Sequence, residues 1–572
     1  MRARRISSSF RIYFLIFLFF LLTAVSISRL FFLQIRNHSY YKELANKQHV
    51  RERILLAKRG EIFFSDEVNF LAKNQGYLRV AVVPKEIEKP KELAKILSLL
   101  LEKEENKILE KISDLEDPWV IIGEIFLDKA SEIENIKGVY FESDLKRYYP
   151  QNEIASNVIG FYGYDKTGKE RIGQYGIEGY LEKELKGKDG FRRGIVDGKG
   201  KEIFSFFNKI QLPFNGAKII LTLDYNIQYF IEEKLKEVIE KYKAEGGTII
   251  VSSPKTGEIL AMASLPNFNP NKYNEVEDQS YFRNPAIEIP FEPGSIFKCI
   301  TLAMALEEKV INPETKYIDS GGVKIDNWTI RNSDNKVYGE KTMVNVLEFS
   351  INTGAVFAQQ KLGGEKFKEY IQKFGFGEKT NIELANESKG NIINVLNPPS
   401  NKKLIEYANA SFGQGIGIIP IQFITAMSAI TNQGRMMKPQ IIKKIIYSDG
   451  KEEEFKPEII REVISSETVS KVTAMMISTI KNGHAKRAGI EGYLIAGKTG
   501  TAQIPDLEKG GYLPDQTIHS FVSFAPAFDP KFLLFLKIEK PQGVRYAAES
   551  LAPLARDIKN YLFSYYGIEP EK

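Results

Sequence analysis

From Ile12 to Ser28 the chain reads IYFLIFLFFLLTAVSIS, without one charged residue, and Arg2, Arg4, Arg5 and Arg11 precede it. A run of this kind meets the lower limit of the ~17–25 apolar residues that cross a bilayer as a helix. Arg11 and Arg29 at its ends can snorkel, and RLFFLQI carries the apolar surface further. A membrane anchor over residues 12–33 is therefore expected, with residues 1–11 as a cytoplasmic tail. The basic cluster before the anchor orients it with the N-terminus inside and everything after about Gln34 outside. A cleaved signal peptide is the alternative, because Ala24-Val25-Ser26 loosely fits a cleavage site, but the apolar core is longer than a usual signal core. Either way, the rest of the chain must fold outside the cytoplasm.

That exported part has no disulfide framework to lean on, since Cys299 is the one cysteine. The four histidines, His38, His49, His484 and His519, include no pair at metal-ligand spacing. No metal and no cofactor are expected, and chemistry has to come from hydroxyls, amines and carboxylates. A net charge of +6 over 572 residues is too diffuse for a nucleic-acid footprint.

Within the exported part, YYKELANKQHVRERILLAK (Tyr40 to Lys58) reads as polar and helical, and a strand opens at Arg59-Gly60-Glu61-Ile62. Residues 85–136 are rich in Lys and Glu with apolar positions at helical spacing, as expected of solvated helices packed on a small sheet. Glycines recur from Gly160 to Gly216, which favours loops and short extended pieces. At Gly216 the pattern changes. AKIILTLD alternates, YNIQYFIEEKLKEVIEKYKA is a long amphipathic helix, and TIIVSS and EILAMAS form a hairpin around Pro254-Lys255-Thr256-Gly257. YLIAGKTGTAQ, HSFVSFAPA and KFLLFLKIEK read as three late strands before a helical LAPLARDIKNYLF. Residues 40–216 are thus expected to form one domain and residues 217–572 an α+β domain, its helical middle flanked in sequence by strands of one sheet.

The chemistry centres on Glu292-Pro293-Gly294-Ser295-Ile296-Phe297-Lys298, which opens the apolar helix CITLAMALEEKV. Ser-x-x-Lys alone means little, since it recurs from Ser39 to Ser478, at Ser143, Ser252, Ser333 and elsewhere. Only Ser295 follows a Pro-Gly turn at the start of an apolar helix. Positions i and i+3 share a helical face, so the Lys298 amine can reach the Ser295 hydroxyl. An amine in an apolar pocket loses pKa and can take that proton, while the Ser295 N–H can stabilise an oxyanion. Two Ser-x-Asn triplets compete for a second element. Ser333-Asp334-Asn335 lies among turn residues, whereas Ser350 and Asn352 lie at a junction between helices and are preferred. Lys-Thr-Gly occurs at Lys166, Lys255 and Lys498. The first lies in the glycine-rich region and the second in a hairpin turn. Lys498-Thr499-Gly500-Thr501 instead comes off a strand, where the glycine would admit a substrate backbone, the lysine and a hydroxyl would suit a carboxylate, and Thr501 N–H would be a second oxyanion donor.

The ordered set Ser295/Lys298, Ser350/Asn352 and Lys498/Thr499/Gly500 resembles the penicillin-binding proteins and class A β-lactamases. GEILAMASLPNFNPN, EPGSIFK, FGFGEKTNIEL, SFGQGIGIIPIQ and the Arg147-Tyr148-Tyr149-Pro150 to Gly176-Ile177-Glu178 stretch look like the class B, monofunctional penicillin-binding proteins over nearly the whole chain. Asn352 and SINTGAVFAQQKLG look closer to the septal than to the elongation branch. The resemblance implies a β-lactamase-like transpeptidase domain, an elongated dimerisation-type pedestal before it, and a single-pass protein of the cytoplasmic (inner) membrane. It implies Ser295 as nucleophile, Lys298 as general base and Ser350 as proton relay, with Asn352 holding the donor amide. Lys498 and Thr499 would bind the donor carboxylate, Gly500 would allow close approach, and Thr501 would complete the oxyanion hole. Peptidoglycan stem peptides and β-lactams are the implied partners. A polytopic membrane glycan polymerase and division proteins are implied too, since no glycan-polymerising domain is expected ahead of the transpeptidase; no appended cell-wall-binding module is expected after it. Ser253, Pro285 and FFSDEVN depart from the family's usual residues. A β-lactamase is disfavoured because Glu-x-x-Leu-Asn is absent between Ser350 and Lys498. A D,D-carboxypeptidase shares the acylation residues and stays open, and the non-enzymatic alternative is a membrane-anchored scaffold or β-lactam sensor with a dormant site, though a tail of about ten residues is too short for a folded output domain.

Overall fold

The computed structural model describes residues 8–126, 133, 136–196, 202–203, 209–506 and 509–571. The arginine cluster at Arg2, Arg4 and Arg5 lies outside them. The described chain forms two compact units: residues up to Lys58 with Gly187–Asn215, and Arg59–Lys186 with Gly216 onward.

In the first unit the helix Ser8–Phe31 continues through a wider turn, Phe32–Arg36. Ser9–Arg36 is long and apolar enough to cross a membrane, and none of its apolar window is buried within the protein. The polar helix His38–His49 comes next. Here one expectation is corrected: the helix read over Tyr40 to Lys58 stops at His49, and Val50–Leu55 is a strand paired antiparallel with Gly190–Val196. VRERIL alternates with β-branched Val50 and Ile54, and a partner strand more than a hundred residues away decides between two locally similar readings. Lys209–Gln211 pairs with the other edge of Gly190–Val196.

In the second unit the strand Phe70–Val82 lies antiparallel between Val120–Phe126 and Val139–Tyr148. The helices Pro90–Leu101 and Glu105–Ser113 bury Leu93, Leu97, Ile108 and Ile112 on it, against Leu78, Val80 and Ile122. The sheet continues through Ile62–Phe63 and Lys218–Leu221 to Ile442–Ile446. At the crossing a Cβ on Gly216 would collide with the Leu185 carbonyl, and one on Gly60 with that of Ala217, so both positions need glycine. Beside it Glu178, fully buried, accepts from Arg59 Nε (2.7 Å), Arg147 Nε (2.6 Å) and the Tyr149 hydroxyl (3.0 Å), while Arg147 also donates to the Gly60 carbonyl (2.6 Å). This ion cluster pins three distant stretches of chain together.

A five-stranded sheet is antiparallel throughout, in the order Ile259–Leu265, Gly246–Ser252, Phe532–Glu539, Tyr512–Ala525, Ala496–Pro505. Both faces are covered. Phe521, Leu534 and Leu536 pack on Ile231, Leu235, Leu551 and Ile558 of the helices Tyr225–Tyr242 and Ala547–Tyr565. Val522, Leu533 and Phe535 belong to the core of the helical middle with Phe297, Ile300 and Phe423. Coverage on both faces is why FLLFLKIE reads as a continuous apolar run rather than an alternating one. Asp224 caps the first of those helices, accepting from Asn226 N (2.9 Å) and Ile227 N (3.0 Å).

Candidate active site

Gly294–Phe297 forms a tight turn that runs straight into the helix Lys298–Glu307, every residue of which from Lys298 to Leu306 is buried. That turn packs on the edge strand Ala496–Pro505, and the junction before the helix Asn352–Leu362 closes the third side. The three sequence elements converge on one point. Lys298 Nζ, with no exposure, donates to Ser295 Oγ (3.0 Å), to the Ser350 carbonyl (2.6 Å) and to Asn352 Oδ1 (2.8 Å), and lies 3.3 Å from Ser350 Oγ. Lys498 Nζ donates to Ser350 Oγ (2.9 Å) and to the Thr499 carbonyl (2.8 Å). The Thr501 hydroxyl accepts from Ala547 N (3.1 Å). Lys166 and Lys255 lie elsewhere, Lys255 in an exposed ion pair with Asp529.

Two buried amines this close shape one another. Burial depresses Lys298 most, the charge of Lys498 depresses it further, and the result lies well below an ordinary lysine. Burial alone brings Lys498 down to about 8. Lys298 is therefore the first of the pair to give up its proton. Cys299, next in sequence, is pushed up to about 12 by burial and stays an apolar helix residue.

The junction carrying Ser350 is held in an unfavourable conformation. Ser350 has φ +58°, a left-handed backbone that costs a non-glycine residue about 1–3 kcal/mol. Its carbonyl is fixed by Lys298, and behind it stands a network that sequence reasoning missed. Asn332 Oδ1 accepts from Asn352 N (3.1 Å) and Thr353 N (3.3 Å). Asn332 in turn donates to Asp319, 1 % exposed, which also accepts from Thr353 Oγ1 (2.7 Å), Tyr338 N (2.7 Å) and Gly321 N (3.0 Å). Burial opposes ionisation of Asp319, but these bonds outweigh it and hold the carboxyl below its ordinary value. The one local signal was Asn332 itself, in an IRNSDN stretch whose polarity marked it as a turn. Asn335 is left-handed there, in keeping with that turn, yet Ser333 lines the cleft beside Ser295. Asp319→Asn puts an amide donor among four donors. It is expected to displace Ser350 and Asn352 and so to lower the turnover measured at this site roughly 10- to 100-fold, with cooperative thermal unfolding retained.

Gly500 has a structural reason of its own to lack a side chain. A Cβ there would run into Ser520 Oγ and stand 2.8 Å from the Pro293 carbonyl. The missing side chain thus lets the Ser295 turn sit down on the strand, on the side away from the cleft. Glu292 secures the same turn, accepting from Gly415 N (2.9 Å) and the Tyr512 hydroxyl (3.1 Å).

The cleft has two lobes that meet at Ser295. A long one of 1060 Å³ runs past Asn352, Gln414 and Gln503. A smaller one of 440 Å³ is walled by Ser350, Thr499, Tyr338 and His484. A reactive serine backed by a buried amine, at the meeting point of two cavities, suits acyl transfer between two substrates.

Residues 247–560 match the penicillin binding protein transpeptidase domain, and residues 54–221 the penicillin-binding protein dimerisation domain. The chain belongs to the penicillin-binding protein transpeptidases. The dimerisation domain ahead of the transpeptidase domain makes it a class B member of this serine acyl-transferase family. Stage V sporulation protein D of Bacillus subtilis is 34% identical over 524 residues, 90% of this chain and 79% of that protein. Peptidoglycan D,D-transpeptidase FtsI of Buchnera aphidicola is 30% identical over 581 residues, 98% of this chain and 96% of its own. Penicillin Binding Protein 2X from Streptococcus thermophilus shares the fold with a TM-score of 0.75 at 24% identity, over 91% of this chain and 83% of its own.

Proposed function

We propose that this penicillin-binding protein cross-links peptidoglycan stem peptides through an acyl-enzyme on Ser295. The observation that carries the proposal is the 3.0 Å hydrogen bond between Ser295 Oγ and the buried, depressed amine of Lys298. Neutral Lys298 takes the Ser295 proton as Oγ attacks the carbonyl carbon of a D-Ala–D-Ala bond. The N–H groups of Ser295 and Thr501 receive the oxyanion. Asn352 holds the donor amide, Lys498 and Thr499 bind the terminal carboxylate, and Ser350, between the two lysines, hands a proton to the departing D-alanine. Gly500 sets the distance between turn and strand. A second amine then takes the acyl group from Ser295, and a β-lactam would stop at the ester.

Residues 1–11 serve as tail, 12–33 as anchor, 40–216 as pedestal and 217–572 as catalytic domain, with the catalytic domain outside the cytoplasmic membrane. The septal relatives and the Ser-Ile-Asn motif support a division role beside a membrane glycan polymerase and division proteins. Turnover of a stem-peptide thioester by the full chain in detergent tests the reaction: a transfer product with a D-amino acid is expected, whereas hydrolysis alone would make the protein a carboxypeptidase.

The two amines also set a pH dependence. Lys298 must be neutral and Lys498 protonated, so acylation by carboxylate-bearing donors rises as Lys298 loses its proton and falls as pH passes through about 8. Penicillin acylation rates between pH 5 and 10 check this. An alkaline limb with Lys498→Arg at the same pH as wild type would remove Lys498 as its cause.

A further inference from the structure

Away from the catalytic cleft, the same unit carries another cavity, of 300 Å³, lined by Ser253, Glu258, Leu260, Lys531, Tyr566 and Ile568. It opens where the turn between Gly246–Ser252 and Ile259–Leu265 meets the chain that follows the helix Ala547–Tyr565. Ile259–Leu265 and Ala496–Pro505 are opposite edges of the five-stranded sheet, four strand spacings or about 19 Å apart. None of the lining residues belongs to the cleft. The volume is at the lower end of the ~300–1,000 Å³ of ligand cavities, which suits a single ring better than a peptide. Each wall is fixed from behind. The Leu260 carbonyl accepts from Asp224 N (2.8 Å), and Ile568 is tied through its N–H to the Phe563 carbonyl (2.9 Å) and through its carbonyl to the Tyr493 hydroxyl (2.9 Å). The Tyr566 ring stands edge-on to Tyr565 at 5.4 Å, and the Tyr565 hydroxyl donates to Asp224 Oδ2 (2.8 Å). Three polar atoms on these walls have no hydrogen-bond partner among the described residues: Ser253 Oγ, the Tyr566 hydroxyl, and Glu258 Oε1, whose companion Oε2 accepts from Thr256 Oγ1 (2.8 Å). Ser253 is one of the positions at which the chain departs from its family's usual residues, and no step of the reaction uses it.

We propose that this cavity binds one N-acetylated hexosamine unit of a glycan strand and so holds the enzyme on polymeric substrate while the cleft turns over. The choice of glycan rests on the peptidoglycan reading of the active site. Sugar hydroxyls both donate and accept, which matches a wall of two free hydroxyls, a free carboxylate oxygen and an ammonium. The apolar C–H face of the sugar ring suits the Tyr566 ring, which is likewise apolar in its body and polar at its tip. An acetamido group adds an N–H for Glu258 Oε1 and a methyl for Leu260 and Ile568, and a plain hexose has neither. An anion is disfavoured, because Glu258 faces the cavity and Lys531 is already neutralised by Asp529 (2.9 Å), which also pairs with Lys255 (2.5 Å). Beyond Tyr566 the rings of Tyr565, Tyr561 and Phe230 follow one another at centroid separations of 5.4, 5.7 and 4.0 Å, a track for further units of a polymer. A strand held at this edge of the sheet leaves the other edge free, so the second attachment raises the effective concentration of neighbouring stems at the cleft.

The test is titration calorimetry of the full chain in detergent with chitotetraose, a β-1,4-linked tetramer of N-acetylglucosamine. Cellotetraose, its counterpart without acetamido groups, is titrated alongside. Chitotetraose is expected to bind at least tenfold more tightly than cellotetraose. Tyr566→Ala removes the ring, and Ser253→Asp, in the turn, sets a second carboxylate beside Glu258. Each should weaken chitotetraose binding at least tenfold, with penicillin labelling and thermal unfolding as in wild type. The turn variant carries the test if the loss of the ring unfolds the chain. Gln503→Trp, which narrows the cleft, should leave the Kd for chitotetraose within about twofold. Binding lost in Gln503→Trp but kept in both cavity variants would place the glycan in the cleft and overturn the proposal. Equal binding of the two tetramers, or no binding of chitotetraose, would overturn it as well. Absence of penicillin labelling with chitotetraose binding intact would instead strike the acyl-Ser295 reading and leave the cavity standing as a saccharide site.

Discussion

Replacing Lys298 by methionine is expected to slow acylation of Ser295 by roughly 10²–10⁴-fold, the range a positioned general base contributes. Methionine fills the volume of the lysine stem in a helix that is buried along its length, so the core is little disturbed. What is lost is the buried amine that lies 3.0 Å from the nucleophile. Lys498 cannot substitute, because its Nζ reaches Ser350 Oγ rather than Ser295, and at a pKa of about 8 it stays mostly protonated near neutrality. Lys298→Arg sharpens the test. It restores positive charge and hydrogen-bond donors but no base, and should be as slow as the methionine variant. Stopped-flow rate constants with a fluorescent penicillin measure both. Recovery of activity in the arginine variant would mean that the lysine acts as a fixed charge.

Glu178→Ala is expected to cost about 3–5 kcal/mol of stability, the penalty for leaving buried charges without their partner. Two guanidiniums, of Arg59 and Arg147, converge on this carboxylate, and Arg147 has little else but the Gly60 carbonyl in reach. A loss of that size is a large part of the ~5–15 kcal/mol that holds a typical protein folded. Burial pushes the Glu178 carboxyl up, but the arginines outweigh it and its pKa lies below the ordinary value. Its contribution is therefore present above the unfolded-state pKa and is lost as pH falls through the folded one. Thermal unfolding of the full chain in detergent should show a large drop in Tm for Glu178→Ala near neutral pH. A Tm within a degree or two of wild type would mean that the cluster holds nothing together.

Much of this fold is visible in local pattern. The helix Tyr225–Tyr242, the hairpin around Lys255 and the three late strands follow from periodicity and turn residues alone. The three motif elements could be picked from many copies because each sits in a distinctive setting, and their convergence around Ser350 Oγ, within reach of both Lys298 Nζ and Lys498 Nζ, is a tertiary fact that no window of sequence contains. Other features were invisible for the same reason. Val50–Leu55 is a strand because of a partner near residue 190. Asp319 matters because the fold brings it to Asn332, and neither side chain looks unusual in its own segment. Gly500 is required by Ser520 and Pro293, which are near it only in space. The split of the cleft into two lobes, with Asn352 on one and Ser350 on the other, likewise separates residues that are neighbours in sequence.

The most direct test of the acyl-serine site is covalent labelling of the full chain, in detergent, with a fluorescent penicillin, comparing wild type, Ser295→Ala and Ser333→Ala. Both serines line the cleft, and each begins a Ser-x-x-Lys, but only Ser295 has a buried amine on its hydroxyl. Labelling of wild type and Ser333→Ala, with none in Ser295→Ala, is the predicted result. Label retained in Ser295→Ala, or absent from a folded wild type, would contradict it.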